Sequence, residues 1–275
     1  MILAVVTRLY PRYEASVPLQ NLYLNHQLYQ PECPRARVYG SFLMSLDGRI
    51  AVEEGGLMAT PKAIRNAHDW RLLQELHAQA DCLITHAGYL RELQAGLIGN
   101  LLQVQAPDLL AWRRQQGLPD QPAVAIASRS LDFNLPDSLA AHRQPVHLFS
   151  GTPADPARLA QWQARGFAVQ QVSDSALVPG RVLVDALEAL GYRSLYLLSG
   201  PLMLGTMLQD GQLERLYLTQ VQQLVGGQHF RTLGDGLAAG QAGSLRLQEM
   251  YLDPAAGQLL SCYVTTGVTD GPGSS

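Results

Sequence analysis

Val38 to Ala51 reads Val-Tyr-Gly-Ser-Phe-Leu-Met-Ser-Leu-Asp-Gly-Arg-Ile-Ala. Its first half is a short apolar run rich in strand-forming residues, the pattern of a strand buried on both faces. At Ser45-Leu46-Asp47-Gly48 a turn signal interrupts the run and gathers small polar side chains at the strand's C-terminal end. In open α/β sheets that end of a strand is where ligands sit.

Similar runs recur along the chain. Asp81 to His86, Pro122 to Ser128, Val146 to Ser150, Phe167 to Val172 and Ser194 to Leu198 each read as a short buried strand. Between them lie helical segments, expected from Thr60-Pro61 to about His77, Asp108 to Gln116, Pro153 to Arg165, Val182 to Leu190 and Leu202 to Gln209. Strands alternating with helices imply a mainly parallel sheet with crossovers. After residue 211 the rhythm changes. Leu213 to Val221, Leu245 to Leu252 and Leu259 to Thr265 alternate as strands, and the last two, with no helix between them, should pair antiparallel. Ile2 to Val6 reads as one strand within a polar, proline-punctuated arm over residues 1–36. The organisation expected is that arm, one domain over 37–268, and a disordered tail over 269–275.

Composition narrows the class. Apolar residues make up 47% and charged residues 16% of the 275, a globular profile with enough chain for a large core. A net charge of −3 offers no basic face for nucleic acid. The cysteines, at positions 33, 82 and 262, are scattered and odd in number, without disulfide or zinc spacing, which points to a reduced cytoplasmic protein. The apolar run at the N-terminus is too short for a signal peptide or a membrane span.

Several stretches carry candidate site chemistry. Ser199-Gly200-Pro201 breaks a strand into a helix, whose N-terminus offers unpaired N–H groups and partial positive charge; Gly200 lets a phosphate approach, and Gly205 keeps the helix close to the sheet or to a ligand. A bare strand-to-helix turn has the same pattern. Gly234 to Ala239 matches a relaxed dinucleotide fingerprint but precedes the terminal hairpin and reads as a loop, and Gly226-Gly227 reads as a turn. Histidines 68, 77 and 86 recur every nine residues, yet straddle a helix and a strand without a carboxylate cluster, so no metal site is expected. Asp47 stands at a buried strand's tip, where it serves either as a turn former or as a polar group facing a ligand.

The order of these segments resembles the riboflavin-biosynthesis pyrimidine reductase (RibD C-terminal) domain family. Ser45-Leu-Asp-Gly48, Asp81 through Gly88, Ala127-Ser128, Leu198-Ser-Gly-Pro201, and Gly211-Gln-Leu-Glu-Arg215 through Gly227 are similar to its motifs, in order, over roughly residues 35–265. The resemblance implies an α/β, dihydrofolate-reductase-like fold: a mostly parallel twisted sheet with flanking helices and a C-terminal antiparallel hairpin. It also implies a homodimer in which NADPH reduces a small heterocyclic substrate, as in 5-amino-6-(5-phosphoribosylamino)uracil reductase. Carried over by position, the cofactor contacts are Leu43, Ser128, Gly200, Pro201, Leu202, Met203, Leu204, Gly205 and Thr206. The substrate contacts are Ser45, Gly55 (in a loop over 52–59 that covers the substrate), His77, Tyr89 and Leu198, with Asp47 as the catalytic polar group facing the acceptor. Apart from the resemblance, no cluster of arginines marks a 2′-phosphate site; Arg129, beside Ser128, is either such a ligand or an exposed surface residue.

The chain departs from the family at the substrate positions. Leu198 replaces a glutamate, His77 an arginine that holds phosphate, Tyr89 a threonine and Leu93 an aspartate. Losing a carboxylate and a guanidinium from a sugar-phosphate site costs about 3 kcal/mol or more of binding. The expected activity is therefore hydride transfer from NADPH to a pyrimidine- or pterin-related acceptor. The alternatives are a non-catalytic nucleotide-binding or partner-binding module, or a dimer that uses the sheet as an assembly surface.

Overall fold

The computed structural model describes residues 4–152, 154–175, 177–237 and 244–266. Among the described residues eleven strands form one sheet: β1 (Val5–Tyr10), β2 (Glu14–Pro18), β3 (Arg37–Ser45), β6 (Cys82–His86), β7 (Ala123–Ala127), β8 (Val146–Gly151), β9 (Val169–Ser173), β10 (Ser194–Leu197), β11 (Leu213–Val221), β13 (Leu245–Asp253) and β14 (Gln258–Thr265). Their spatial order is β2-β1-β13-β14-β11-β3-β10-β6-β7-β8-β9. From β11 to β9 neighbouring strands run parallel, while β13 and β14 pair antiparallel, as the sequence led us to expect. A three-stranded sheet of β4 (Ala51–Glu54), β5 (Leu57–Ala59) and β12 (Phe230–Arg231) stands apart.

The described residues form seven α-helices, most of them against the sheet: α1 (Ala67–Ala78), α2 (Ala87–Gln94), α3 (Pro107–Gln115), α4 (Asp137–Ala141), α5 (Pro156–Ala164), α6 (Gly180–Ala189) and α7 (Pro201–Gln209). They divide between its faces. Leu72 and Leu76 of α1, Tyr89 and Leu90 of α2, and Trp162 of α5 join one buried cluster with Leu83 and Tyr196. Leu183 and Leu187 of α6, with Leu204 and Met207 of α7, join the other with Ile84 and Leu197. The central strands are therefore covered on both sides, which is why they read as unbroken apolar runs.

The structure corrects several expectations. The helix expected from Thr60-Pro61 begins later: Pro61 is extended (ψ 131°), a 3-10 turn follows at Lys62–Ile64, and the α1 cap is Asn66, whose side chain accepts from Asp69 N at 2.9 Å. The loop expected over 52–59 is a hairpin. Its turn is Gly55-Gly56, both at positive φ, the backbone that a two-residue hairpin turn requires. The arm contributes two strands, β1 and β2, which extend the sheet beyond β13. Buried Glu75 of α1 anchors the arm by accepting from Asn21 N at 2.6 Å and Tyr23 N at 2.9 Å. Helices α2 and α4 had no counterpart in the sequence reading. Within the expected loop, Leu233–Gly236 forms a 3-10 turn capped by Thr232 and Asp235, while Ala238, Ala239 and the tail lie outside the described residues.

Candidate functional site

Strands β6 and β10 are parallel neighbours, and each feeds a helix directly from its C-terminal end. Helix α2 packs on one face of the sheet and α7 on the other. Connections that leave neighbouring strands toward opposite faces open a crevice at their carboxyl ends, the preferred ligand position in open α/β sheets. Two helix N-termini meet at this crevice, and their unpaired N–H groups and dipoles favour an anion. Pro201 at the first position of α7 has no N–H to lose, and Leu204 N makes the first bond of the helix, to Gly200 O at 3.2 Å.

His86 fills the space between the two helices. Its Nδ1 lies 3.3 Å from Tyr89 N, capping α2, and its Nε2 lies 3.3 Å from Gly200 N. Burial pushes its pKa down to about 4, and the nearby Arg91 charge acts in the same direction, so the ring is neutral at pH 7. A neutral imidazole has one acceptor nitrogen, and here two N–H donors face it. Whichever tautomer forms, one ring N–H points at a backbone N–H. At the same strand ends the Thr85 and Ser199 hydroxyl oxygens are buried without a partner. Gly88 makes room for the ring, since a Cβ there would stand 2.7 Å from it.

The remaining cofactor positions are spread along three elements. Gly200 has ordinary extended backbone (φ −80°), and a Cβ there would meet only His86 Nε2 at 3.7 Å. Gly205 serves a different contact: its Cβ would stand 2.1 Å from Gly236 O, so the glycine pair lets the 3-10 turn lie against α7. Leu204 faces the core, Met203 is partly buried beside it, Leu202 is exposed, and the Thr206 hydroxyl donates back to Leu202 O at 3.1 Å. Ser128 directly follows β7, the neighbour of β6, and its Oγ accepts from Leu131 N at 2.9 Å. Leu43 sits on β3 opposite Thr219 of β11.

The expected substrate residues divide between a corner and the core. Asp47 holds the corner at the end of β3. Its Oδ1 accepts from the Ser45 hydroxyl and from Val225 N at 3.2 Å; its Oδ2 accepts from Gly226 N at 2.9 Å and Arg49 NH1 at 2.6 Å. The Ser45 hydroxyl and the Gly226 N–H, in that order, lead in drawing its pKa down to about 2. Ser45 is wholly buried beneath it. Every strong acceptor direction is committed, which is the turn-forming role. Gly55 borders an open cleft of about 550 Å³ that is also lined by Val52, Glu53, Gly227 and His229.

His77, Tyr89 and Leu198 lie in the core. His77 is fully buried, has no partner on either ring nitrogen, and sits edge-on to Tyr196 at 4.6 Å. Burial, with Arg113 alongside, pushes its pKa down to about 3. The Tyr89 hydroxyl accepts from Leu101 N at 2.7 Å. Histidines 68, 77 and 86 occupy three separate places, since His68 pairs with Asp253 at 2.7 Å. Among the described residues no cluster of three His, Cys, Asp or Glu side chains has metal-binding geometry, and no helix is long and apolar enough to cross a membrane.

Two residues escaped the sequence reading. In the sequence His86 stands out only as part of a histidine spacing. Asp69, in the first turn of α1, places its carboxyl by the Thr219 hydroxyl, on the strand position opposite Leu43, and desolvation pushes its pKa up to about 6. A lone aspartate near a helix start signals only a favourable dipole contact, so nothing local marks it out.

Fold and crevice together define an open α/β protein with a crevice at a reversal of strand order. The RibD C-terminal domain model matches residues 36–256, and the chain belongs to that family of riboflavin-pathway reductase domains. No curated protein matches it. Among solved structures it is similar to a pyrimidine reductase-like protein of Corynebacterium diphtheriae, at 19% identity and TM-score 0.67, over 84% of this chain and 92% of that one. It is also similar to Acinetobacter baumannii RibD (18%, TM-score 0.58, 85% of this chain and 59% of that one). A third is the Saccharomyces cerevisiae riboflavin biosynthesis reductase (15%, TM-score 0.54, 90% and 100%). At these identities the likeness speaks for the dihydrofolate-reductase-like fold.

Proposed function

We propose that this chain is a reductase that uses a nicotinamide dinucleotide, NADPH in the first instance, to reduce a pyrimidine- or pterin-related heterocycle. The observation that carries the reading is the crevice between β6 and β10, where two helix N-termini converge at a reversal of strand order. When bound, the dinucleotide would supply the hydride. The chain's part is to hold the dinucleotide and to place the acceptor. Gly200 N–H and the first free N–H groups of α7 would take the diphosphate, Ser128 the nucleotide, and Leu43 the nicotinamide end. Asp69, with its raised pKa and the Thr219 hydroxyl beside it, is suited to hold or release a proton near neutral pH. The hairpin at Gly55 borders the cleft where the acceptor would enter.

His77 and Leu198 lie in the core, so no guanidinium or carboxylate from those positions receives a sugar phosphate. The acceptor we favour therefore needs neither. Cytoplasmic residence and a homodimer complete the reading. The test is NADPH oxidation followed at 340 nm across a panel of oxidised pyrimidines and pterins. Turnover of at least one, at a rate above the protein-free control, supports the proposal; no turnover across the panel counts against it.

A second reading is a nucleotide-binding module without chemistry. The His86 ring standing in the crevice favours it. It expects saturable dinucleotide binding and no acceptor.

A further inference from the structure

His86 Nε2 stands 3.3 Å from Gly200 N, on the N–H, where a phosphate oxygen taking that hydrogen bond would have to sit. Ring and ligand cannot both have the place. The ring is also badly satisfied there, because it is neutral and meets N–H donors at both nitrogens, Tyr89 N and Gly200 N. A donor facing a donor forfeits one hydrogen bond and leaves a polar group unpaired. The ring is thus held in the crevice by enclosure and by its cap on α2, and weakly by Gly200. Gly88 beneath it, where any Cβ would come within 2.7 Å of the imidazole, leaves the space that lets it lie there. The partnerless Ser199 and Thr85 hydroxyls at the same strand ends are further polar groups without an acceptor.

We infer that His86 is an internal competitor for the anion position of this site: its side chain must leave the Gly200 N–H before a dinucleotide diphosphate can bind, and it thereby sets the affinity. This rests on the reading of the crevice as a dinucleotide site. It adds that the chain's own residue 86 governs how readily that site fills.

The experiment is a calorimetric titration of the whole chain with NADPH and, separately, with inorganic pyrophosphate, for the wild type and for His86→Ser and His86→Gly. Serine is a favoured N-cap, so His86→Ser keeps the α2 cap while clearing the ring. Both variants should bind NADPH and pyrophosphate about tenfold or more tightly than the wild type, the scale of one hydrogen bond no longer broken on binding. A misfolded variant cannot mimic a gain in affinity. If the wild type binds and both variants bind equally or more weakly, the inference is overturned while the dinucleotide reading stands. If neither wild type nor variants bind either probe at millimolar concentration, both fall. Should only pyrophosphate bind, and more tightly in the variants, the competition is upheld and the dinucleotide reading fails.

Discussion

The corner at the end of β3 and the crevice between β6 and β10 are built from similar parts: polar side chains at the carboxyl ends of parallel strands, facing a neighbouring loop or helix. At the corner the account closes. Asp47 has two carboxylate oxygens and four donors on them, from Ser45, Arg49, Val225 and Gly226. In the crevice it does not. His86 has two N–H donors for one acceptor nitrogen, and the Ser199 and Thr85 hydroxyls have no partner. Buried polar groups are normally satisfied, so the two places do different work. The corner ties loops together, and the crevice leaves donors over, as the anion site we propose there requires.

The comparison can be broken most forcefully at α7. Gly205→Ala puts a methyl 2.1 Å from Gly236 O, against backbone that cannot step aside unless the 3-10 turn lifts off. We expect a loss of about 3 kcal/mol in urea unfolding, at the upper end for overpacking. A change under about 0.5 kcal/mol would mean that the glycine pair does not hold the helix.

His77 gives a smaller, pH-dependent effect. Its pKa is about 3 when folded against roughly 6.5 unfolded, so the unfolded chain takes up the proton first as pH falls below about 6.5. Wild-type stability should therefore decline from there toward pH 3. His77→Leu removes two unpartnered ring nitrogens and that proton uptake. Its advantage over wild type should be about 2 kcal/mol larger at pH 5 than at pH 7, since each pKa unit is about 1.4 kcal/mol. Parallel pH profiles for the two proteins would show that His77 has a partner when folded.

Asp47→Asn should give the smallest change, because water can reach the corner and replace part of what is lost. The melting midpoint should fall while NADPH affinity is unchanged. The folded pKa is depressed, to about 2, so the wild-type advantage should be full above roughly pH 4 and fade as pH falls toward 2. A fall in NADPH affinity with no change in melting would reverse the roles assigned to corner and crevice.

Much of the fold was legible because its strands are buried on both faces. Cys82–His86 and Ala123–Ala127 are short apolar runs with nothing else to be. The start of α1 lies beyond its strongest local signal: Thr60-Pro61 is the better pattern, yet Pro61 is extended and Asn66 caps the helix. Helix α2 is hidden by Gly88, a poor helix residue that leaves room for the His86 ring. Within the site, the Ser199-Gly200-Pro201 turn was visible as a turn. The crevice was not, because it depends on α2 and α7 lying on opposite faces of the sheet, which no local pattern records. His77 and Tyr89 stood at positions with a ligand role in the family, and only packing placed them in the core.

The most direct test of the central claim is a titration of ¹⁵N-glycine-labelled protein with NADPH, followed by amide correlation spectra, with the Gly200 resonance assigned through Gly200→Ala. A shift of the Gly200 amide that saturates with NADPH, while Gly191 in the turn that enters β10 at its opposite end stays put, is the result predicted. Saturation at other glycines with Gly200 unmoved, or no shift at millimolar NADPH, would contradict the assignment of the crevice as the diphosphate site.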